Sequence, residues 1–296
     1  IEYLQNHLCK KLYQYMNINF KHSSLFIFVL IFVFSETSFS QNLKNIRVLV
    51  YTKNGVGYVH DNLVASVKCI EDLGFKHNFK VDVSESPSVF TQSNLQKYTL
   101  LIFASTNNDV FDNDEQRLAF RRYMQAGGGF VGIHSVIGTE RNWDWFKQMI
   151  GGTFVWHPKN QKFSVQMLDP HHPSMLGMPK LWERSLGDEC YFMKDVYPGI
   201  KVLMANQLNT LNPSKTDSIK IAQYATPFKD YYPSVWHQSF DGGNVWITTL
   251  GHNKENYQEA IFSKHLLLGI KYIASQSKKL DYNKAYALSK DAPLQF

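Results

Sequence analysis

The chain has little cysteine, three residues in 296. That is too few for a disulfide framework, and a chain this long can bury a core that needs none. It also lacks a block of like charge. The net charge of +6 sits on lysines and arginines scattered among acids, with no basic run longer than Arg121-Arg122 or Lys278-Lys279, so nucleic acid is not an expected partner. A long apolar run is missing as well: the stretch Leu25 to Phe34 is about half of the ~20 residues that cross a bilayer as a helix. Gly55 and Gly57 have no third glycine to complete a dinucleotide fingerprint, so no nucleotide cofactor is expected there. What the chain does have is 44% apolar and 15% aromatic residues, a composition that folds around a large core.

The first forty residues read as an address and not as fold. Lys21 and His22 precede the apolar run, and small polar residues ending Ser38-Phe39-Ser40-Gln41 follow it, the pattern of a secretory signal peptide. The expected leader is 16–40, starting at Met16, with 1–15 an upstream extension and cleavage near Ser40. A periplasmic or secreted protein without a stable membrane anchor follows. Cleavage leaves Cys69 and Cys190, and the sequence does not decide whether they pair.

Beyond the leader, short β-branched runs alternate with helical patterns, the signature of a parallel sheet covered by helices. Strands are expected at Ile46 to Tyr51, Lys80 to Ser84, Thr99 to Ala104 and Phe130 to Ile133. A helix from about His60 to Leu73 is expected to stop at Gly74. A second helix, Asn113 to Ala126, carries acids in its first turn and bases later, which suits the helix dipole. The second half is more β-rich, with strands expected at Lys162 to Leu168, Lys201 to Ala205, Ile219 to Tyr224, Ser234 to Phe240 and Asn244 to Thr249. Asp241-Gly242-Gly243 between the last two is a hairpin signal. A helix from about Tyr257 to Ala274 closes one domain over 45–275, with Arg141 to Asp230 as inserted loops and strands, and 276–296 is a polar tail of weak pattern.

The chemistry concentrates in histidines. Strand Phe130 to Ile133 follows Gly127-Gly128-Gly129 and delivers His134 to the carboxyl edge of the sheet, where open α/β folds collect ligands. His157 and His172 precede prolines, His252 follows a glycine after the last strand, and Asp188-Glu189 adds carboxylates. Imidazoles and a carboxylate on loops suit a divalent ion such as zinc, or a polar sugar pocket. The candidate ligand set is His134, His157, His172, Glu189 and His252, of which a subset is expected. Adjacent acids point in different directions, so one of Asp188 and Glu189 is expected in the site, and Glu189 is favoured. His134, Glu189 and His252 are the candidate catalytic residues; His60, Trp156 and Tyr191 are candidates for substrate contact. His171 is expected to face solvent. Trp143, Trp145 and Trp156 could stack on a sugar ring, whereas Trp236 and Trp246 in the final hairpin are expected in the core.

These motifs come in an order. Gly127-Gly-Gly-Phe-Val-Gly-Ile-His134, Gly151-Gly-Thr-Phe154 with His157-Pro158, His172-Pro173, Asp188-Glu189 with Tyr191, and Leu250-Gly251-His252 together resemble the motif set of the ThuA-like (trehalose utilisation) family, across about 46–273. The resemblance implies a flavodoxin-like, class I glutamine amidotransferase-like three-layer α/β sandwich, with a mostly parallel central sheet and a decorated, β-rich second half. It also implies a carbohydrate setting. In class I glutamine amidotransferases the strand-to-helix elbow bears a cysteine; here it bears His134, which cannot form a thiolate, so glutaminase chemistry is disfavoured. The expected function is therefore an enzyme, a hydrolase or lyase, acting on trehalose, another disaccharide or a keto-sugar. The alternative is a sugar-binding or accessory protein that keeps the fold without the nucleophile. The partner in either case is a small carbohydrate; the oligomeric state is left open.

Overall fold

A computed structural model describes residues 43–277 and 279–295. The expected extension 1–15 and leader 16–40 lie outside the described residues. Among the described residues no helix is long and apolar enough to cross a membrane.

The first half alternates as its pattern predicts. Strand β1 (Arg47–Tyr51) leads to helix α1 (Leu63–His77), then β2 (Lys80–Ser84), the single turn α2 (Gln92–Leu95), β3 (Leu100–Ala104), α3 (Asp114–Gln125), β4 (Gly129–Ile133) and α4 (Asp144–Ile150). Further strands follow at β5 (Thr153–Trp156), β6 (Ser164–Met167), β7 (Leu181–Glu183), β8 (Phe192–Lys194) and β9 (Lys201–Gln207). Helix α5 (Lys215–Ala225), the hairpin β10 (Tyr231–Phe240) and β11 (Gly243–Thr248), and helix α6 (Ala260–Gln276) complete the domain.

The main sheet has the order β2-β1-β3-β4-β11-β10-β9-β6-β7. Strands β2 through β11 in that order run parallel, and the rest are added antiparallel. The parallel half is the flavodoxin-like order, whose connections change direction between β1 and β3. Its strands β3 and β4 are buried throughout, as strands covered on both faces must be. On one face Gly129 approaches Ile273 of α6 and Gly269 of α6 lies on Trp246 of β11. On the other, Phe103 and Phe130 of the sheet meet Phe120 of α3 and Phe146 of α4 with ring centroids 5.5 to 6.3 Å apart. The three layers are thus held by aromatic area, at ~25 cal/mol for each Å² removed from water.

Three local expectations change. Helix α1 does not stop at Gly74 but runs to His77 and ends at Asn78 in the left-handed region, φ 59°. Gly74 serves packing instead, since a Cβ there would lie 2.6 Å from Val81 Cγ2. The stretch Ile219 to Tyr224 is not a strand but part of α5, whose N-cap Ser214 accepts from the Asp217 amide. Ile221, Tyr224 and Ala225 then share one helical face against the core. The tail is docked: Arg121 Nη1 donates to Lys290 O at 2.8 Å, and Arg122 Nη1 to Ala285 O and Ala287 O. The hairpin signal gives a two-residue turn with Asp241 and Gly242 both at positive φ, the geometry that matches sheet twist.

Candidate functional site

Four loops meet over the carboxyl ends of the parallel strands. The loop after β1 brings His60, the loop after β3 brings Asn107, the end of β4 delivers His134, and the loop after β11 brings His252. Glu189 and Tyr191 arrive from the segment before β8. This is the edge of the sheet at which an open α/β fold gathers ligands.

His134 occupies the elbow between β4 and a short 3-10 turn, at φ 53°. That left-handed conformation costs a non-glycine residue ~1–2 kcal/mol. It is sustained by Ser135 Oγ donating to Thr106 O at 3.1 Å and by close packing behind the elbow. A Cβ on Gly132 would lie 2.6 Å from both Ile247 Cδ1 and Val136 Cγ1; the glycine before the elbow serves packing and not the approach of a ligand.

The hydrogen bonds assign the rings. His134 Nδ1 donates to Thr249 O at 3.0 Å, so its neutral ring presents the lone pair of Nε2. Tyr191 Oη stands 3.0 Å from that nitrogen and 3.3 Å from His60 Nε2. One phenol proton can serve only one of them: Tyr191 donates to His134, His60 Nε2 donates to Tyr191, and His60 Nδ1 is left buried without a partner. His252 Nδ1 lies 3.3 Å from His134 Nε2 and 3.0 Å from Glu189 Oε2. Glu189 Oε2 accepts no hydrogen bond of good angular geometry even so. His157 Nδ1 is 3.4 Å from Glu189 Oε1 and donates to Pro158 O at 2.9 Å, which leaves its Nε2 lone pair free.

Charge follows from burial. The fully buried His134 has its pKa pushed well below the usual histidine value by desolvation, helped by the neighbouring His60 and His252. His60 is pushed down to about 4 by burial and then by His252. At His252 burial also opposes the charge, but the Glu189 carboxylate outweighs it and the pKa is raised. Burial holds the Tyr191 phenol well above its ordinary value, so it keeps its proton.

One donor atom from each of His60, His134, Glu189 and His252 lies within 4.8 Å of the others. A tetrahedral ion with ligands at ~2.1 Å needs donors ~3.4 Å apart. The distances of 3.3, 3.0 and 3.8 Å among His134, His252 and Glu189 bracket that edge. The buried donors without partners on His60 and Glu189 fit the same use, and the Nδ1 bond of His134 to a carbonyl is the outer contact that orients a ligating imidazole.

Asp188 points the other way. It pairs with Arg184 at 3.0 Å in full burial. It also accepts from the Gly251 and His252 amides at 2.9 and 3.0 Å, and so fixes the loop that carries His252. Asn62 Nδ2 donates to Gly251 O at 2.7 Å, which ties the His60 loop to the same place.

Above the cluster is a cavity of ≈ 320 Å³ lined by Tyr58, His60, Asn107, Ser135, Gly138, Arg141, Phe154, His157, Glu189 and Tyr191. Of the expected ligands, His134, Glu189 and His252 converge, His157 reaches Glu189 from the wall, and His172 does not belong. His172 is packed elsewhere, with ring centroids 4.4 Å from His237 and 4.3 Å from Tyr272 and Nδ1 on Ser174. His60, expected as a substrate contact, takes the place in the donor cluster. Trp156 is absent from the cavity wall; it stacks on Phe192 and lies under Lys220. Trp143 and Trp145 are buried with Phe120 and offer no sugar platform, and Trp236 and Trp246 are fully buried in the core. His171 is exposed. Arg141, Asn107 and Tyr58 went unnoticed in the sequence. The one available signal for Arg141 was its position just after the elbow.

Neither described cysteine is a nucleophile in waiting. Cys69 and Cys190 are both free and buried, and burial pushes the Cys190 thiol up to about 12.

The sequence profile described as "ThuA: Trehalose utilisation" matches residues 47–273. A ThuA-like protein from Bacteroides uniformis is similar in structure, with a TM-score of 0.62 at 20% identity, over 80% of this chain and 95% of that one. A ThuA-like protein from Parabacteroides merdae gives 0.58 at 20% identity over 80% and 93%. A protein from Salmonella typhimurium described as cytoplasmic gives 0.51 at 12% identity over 77% and 99%. At these identities the structures speak for the fold. No curated protein matches the sequence.

Proposed function

We propose, from the premise that this chain belongs to the ThuA family of trehalose utilisation, that it is an exported enzyme of carbohydrate utilisation. Its substrate is a disaccharide or its keto derivative, and its pocket holds a divalent ion such as zinc. The observation that carries this reading is the convergence of donors from His60, His134, Glu189 and His252 within 4.8 Å, at the base of a cavity of ligand size. Three imidazoles and a carboxylate are a donor set for zinc or a similar ion.

When bound, the ion would polarise a carbonyl or hydroxyl oxygen of the sugar. The chain's own groups do the rest. His157 Nε2, at the cavity wall, is placed to take a proton from the substrate, while Glu189 Oε1 lies 3.4 Å from its other ring nitrogen and stabilises the charge it gains. Tyr191 keeps its phenol proton and can return one to a developing alkoxide. A proton shift beside a carbonyl, leading to elimination or isomerisation, suits these groups. Direct glycoside hydrolysis by two opposed carboxylates does not, because Glu189 is the one carboxylate on the wall.

The test uses the full chain. Metal content is measured by mass spectrometry before and after chelator dialysis, and turnover is followed on a panel of disaccharides and their keto derivatives. We expect about one divalent ion per chain, loss of turnover on chelation with recovery on adding the ion back, and loss of both ion and turnover in His134→Ala. A metal-free protein whose turnover survives the chelator ends the metal reading. Thermal stabilisation by sugars with no turnover of any panel member would make the protein a binding protein instead.

A further inference from the structure

We infer that the cavity takes a sugar bearing a carboxylate, a uronic acid unit, and that Arg141 selects it. The inference rests on the carbohydrate reading above and narrows it to an anionic substrate.

Arg141 is half-buried at the cavity wall. Its Nε donates to Gly138 O at 2.9 Å and its Nη2 to Asn107 Oδ1 at 3.1 Å, while the guanidinium carbon lies 5.4 Å from the centre of the Phe154 ring. Two neutral oxygens and a ring hold the group in place, and none supplies a countercharge. Among the described residues no carboxylate comes within ion-pair distance of it. The one acid on the wall, Glu189, is taken up by His252 at 3.0 Å and His157 at 3.4 Å. The Arg141 guanidinium therefore lines the cavity without a carboxylate of its own.

A partly desolvated cation without a partner is unfavourable, and such groups mark places where a ligand completes the pair. Nη1 and the outer proton of Nη2 have no partner among the described residues, and together they form a planar fork. That fork matches the two oxygens of a carboxylate and not a neutral hydroxyl. The clamp also depends on a bare backbone: a Cβ on Gly138 would lie 2.5 Å from Asn107 Oδ1 and 3.0 Å from Arg141 Nη2. A cavity of ≈ 320 Å³ is at the small end of ligand pockets, so one sugar ring fills it and the anion belongs on that ring.

The methyl glycosides of glucuronic and galacturonic acid, with those of glucose and galactose as neutral partners, are titrated into the full chain by calorimetry or ligand-observed NMR. The acid of at least one pair should bind roughly 10- to 100-fold tighter than its neutral partner, less so at high salt. Arg141→Gln should erase that preference, bringing the affinity for the acid down to that for its neutral partner in the same variant, and Arg141→Lys should keep a part of it. Equal affinity for acid and neutral glycosides in the unmodified chain overturns this inference and leaves the carbohydrate reading standing. So does a preference that survives Arg141→Gln. Binding of none of the four also overturns this inference, while turnover on the disaccharide panel decides the carbohydrate reading separately. If Arg141→Gln melts early, the comparison in the unmodified chain still decides.

Discussion

Asp188 shows how one side chain can set another's place. Its carboxylate sits between the buried Arg184 guanidinium and the Gly251 and His252 amides, so it joins the two segments that supply Glu189 and His252. Asp188→Asn keeps the volume and removes the charge, leaving Arg184 with Glu259 at 3.6 Å as its remaining acid. Losing one partner of a buried pair costs ~3–5 kcal/mol, which urea unfolding will show. The His252 loop should loosen at the same time, weakening uptake of the proposed ion by roughly 10- to 100-fold. A variant within about 1 kcal/mol of the parent would mean that the buried pair is relaxed by solvent.

The elbow and the tail make their predictions as elements. Gly132→Ala puts a methyl group against Ile247 and Val136 at once, in a sheet that cannot part without moving β11. Overpacking of this kind costs ~1–3 kcal/mol, and because β4 carries His134 the damage should reach the site, lowering ion affinity as well as melting temperature. Unchanged ion affinity would separate strand packing from elbow geometry. The tail is bound through Asp241, which accepts from Tyr286 Oη at 2.6 Å and also from Trp145 Nε1 at 2.7 Å and Arg121 Nε at 3.2 Å. Ending the chain at residue 280 would strip Arg121 and Arg122 of their carbonyl acceptors. Each of these hydrogen bonds to a charged group contributes ~1.5–3 kcal/mol at most, so the shortened chain should unfold at lower urea and be cut faster by protease. Equal resistance would mean that the tail adds nothing to stability.

Across the whole molecule, acid is the expected weak point. His265, fully buried in α6 against Trp246 and Thr248, has its pKa pushed down to about 3 by burial and then by Arg184. His237 is lowered to about 4 by burial, then by His172 and Lys201. Between their unfolded value near 6.5 and these folded values, the unfolded chain binds protons that the native state refuses. Stability therefore rises with pH across that window and is lost as pH falls through it, by up to ~1.4 kcal/mol per pH unit for His265 and less for the partly exposed His237. Urea unfolding from pH 8 to pH 4 measures the slope, and His265→Gln should reduce it below pH 6.5. A flat profile would show that the unfolded chain protects these rings equally.

The sequence by itself determined the alternation of strand and helix in the first half, the closing hairpin, and the family. Those are local properties: the period of apolar residues, a two-residue turn that demands positive φ, and motifs in fixed order. It did not determine that α5 is a helix, because Ile219 to Tyr224 alternates like a strand until its cap and its packed face are known. Nor did it separate His60 from His172. Both are histidines beside turns, and only the strand order β2-β1-β3-β4-β11 places the loop after β1 next to those after β4 and β11. The tertiary structure alone decided which imidazoles share a centre, since residues from His60 to His252 meet through parallel pairing and crossover connections, and sequence spacing carries no record of those distances.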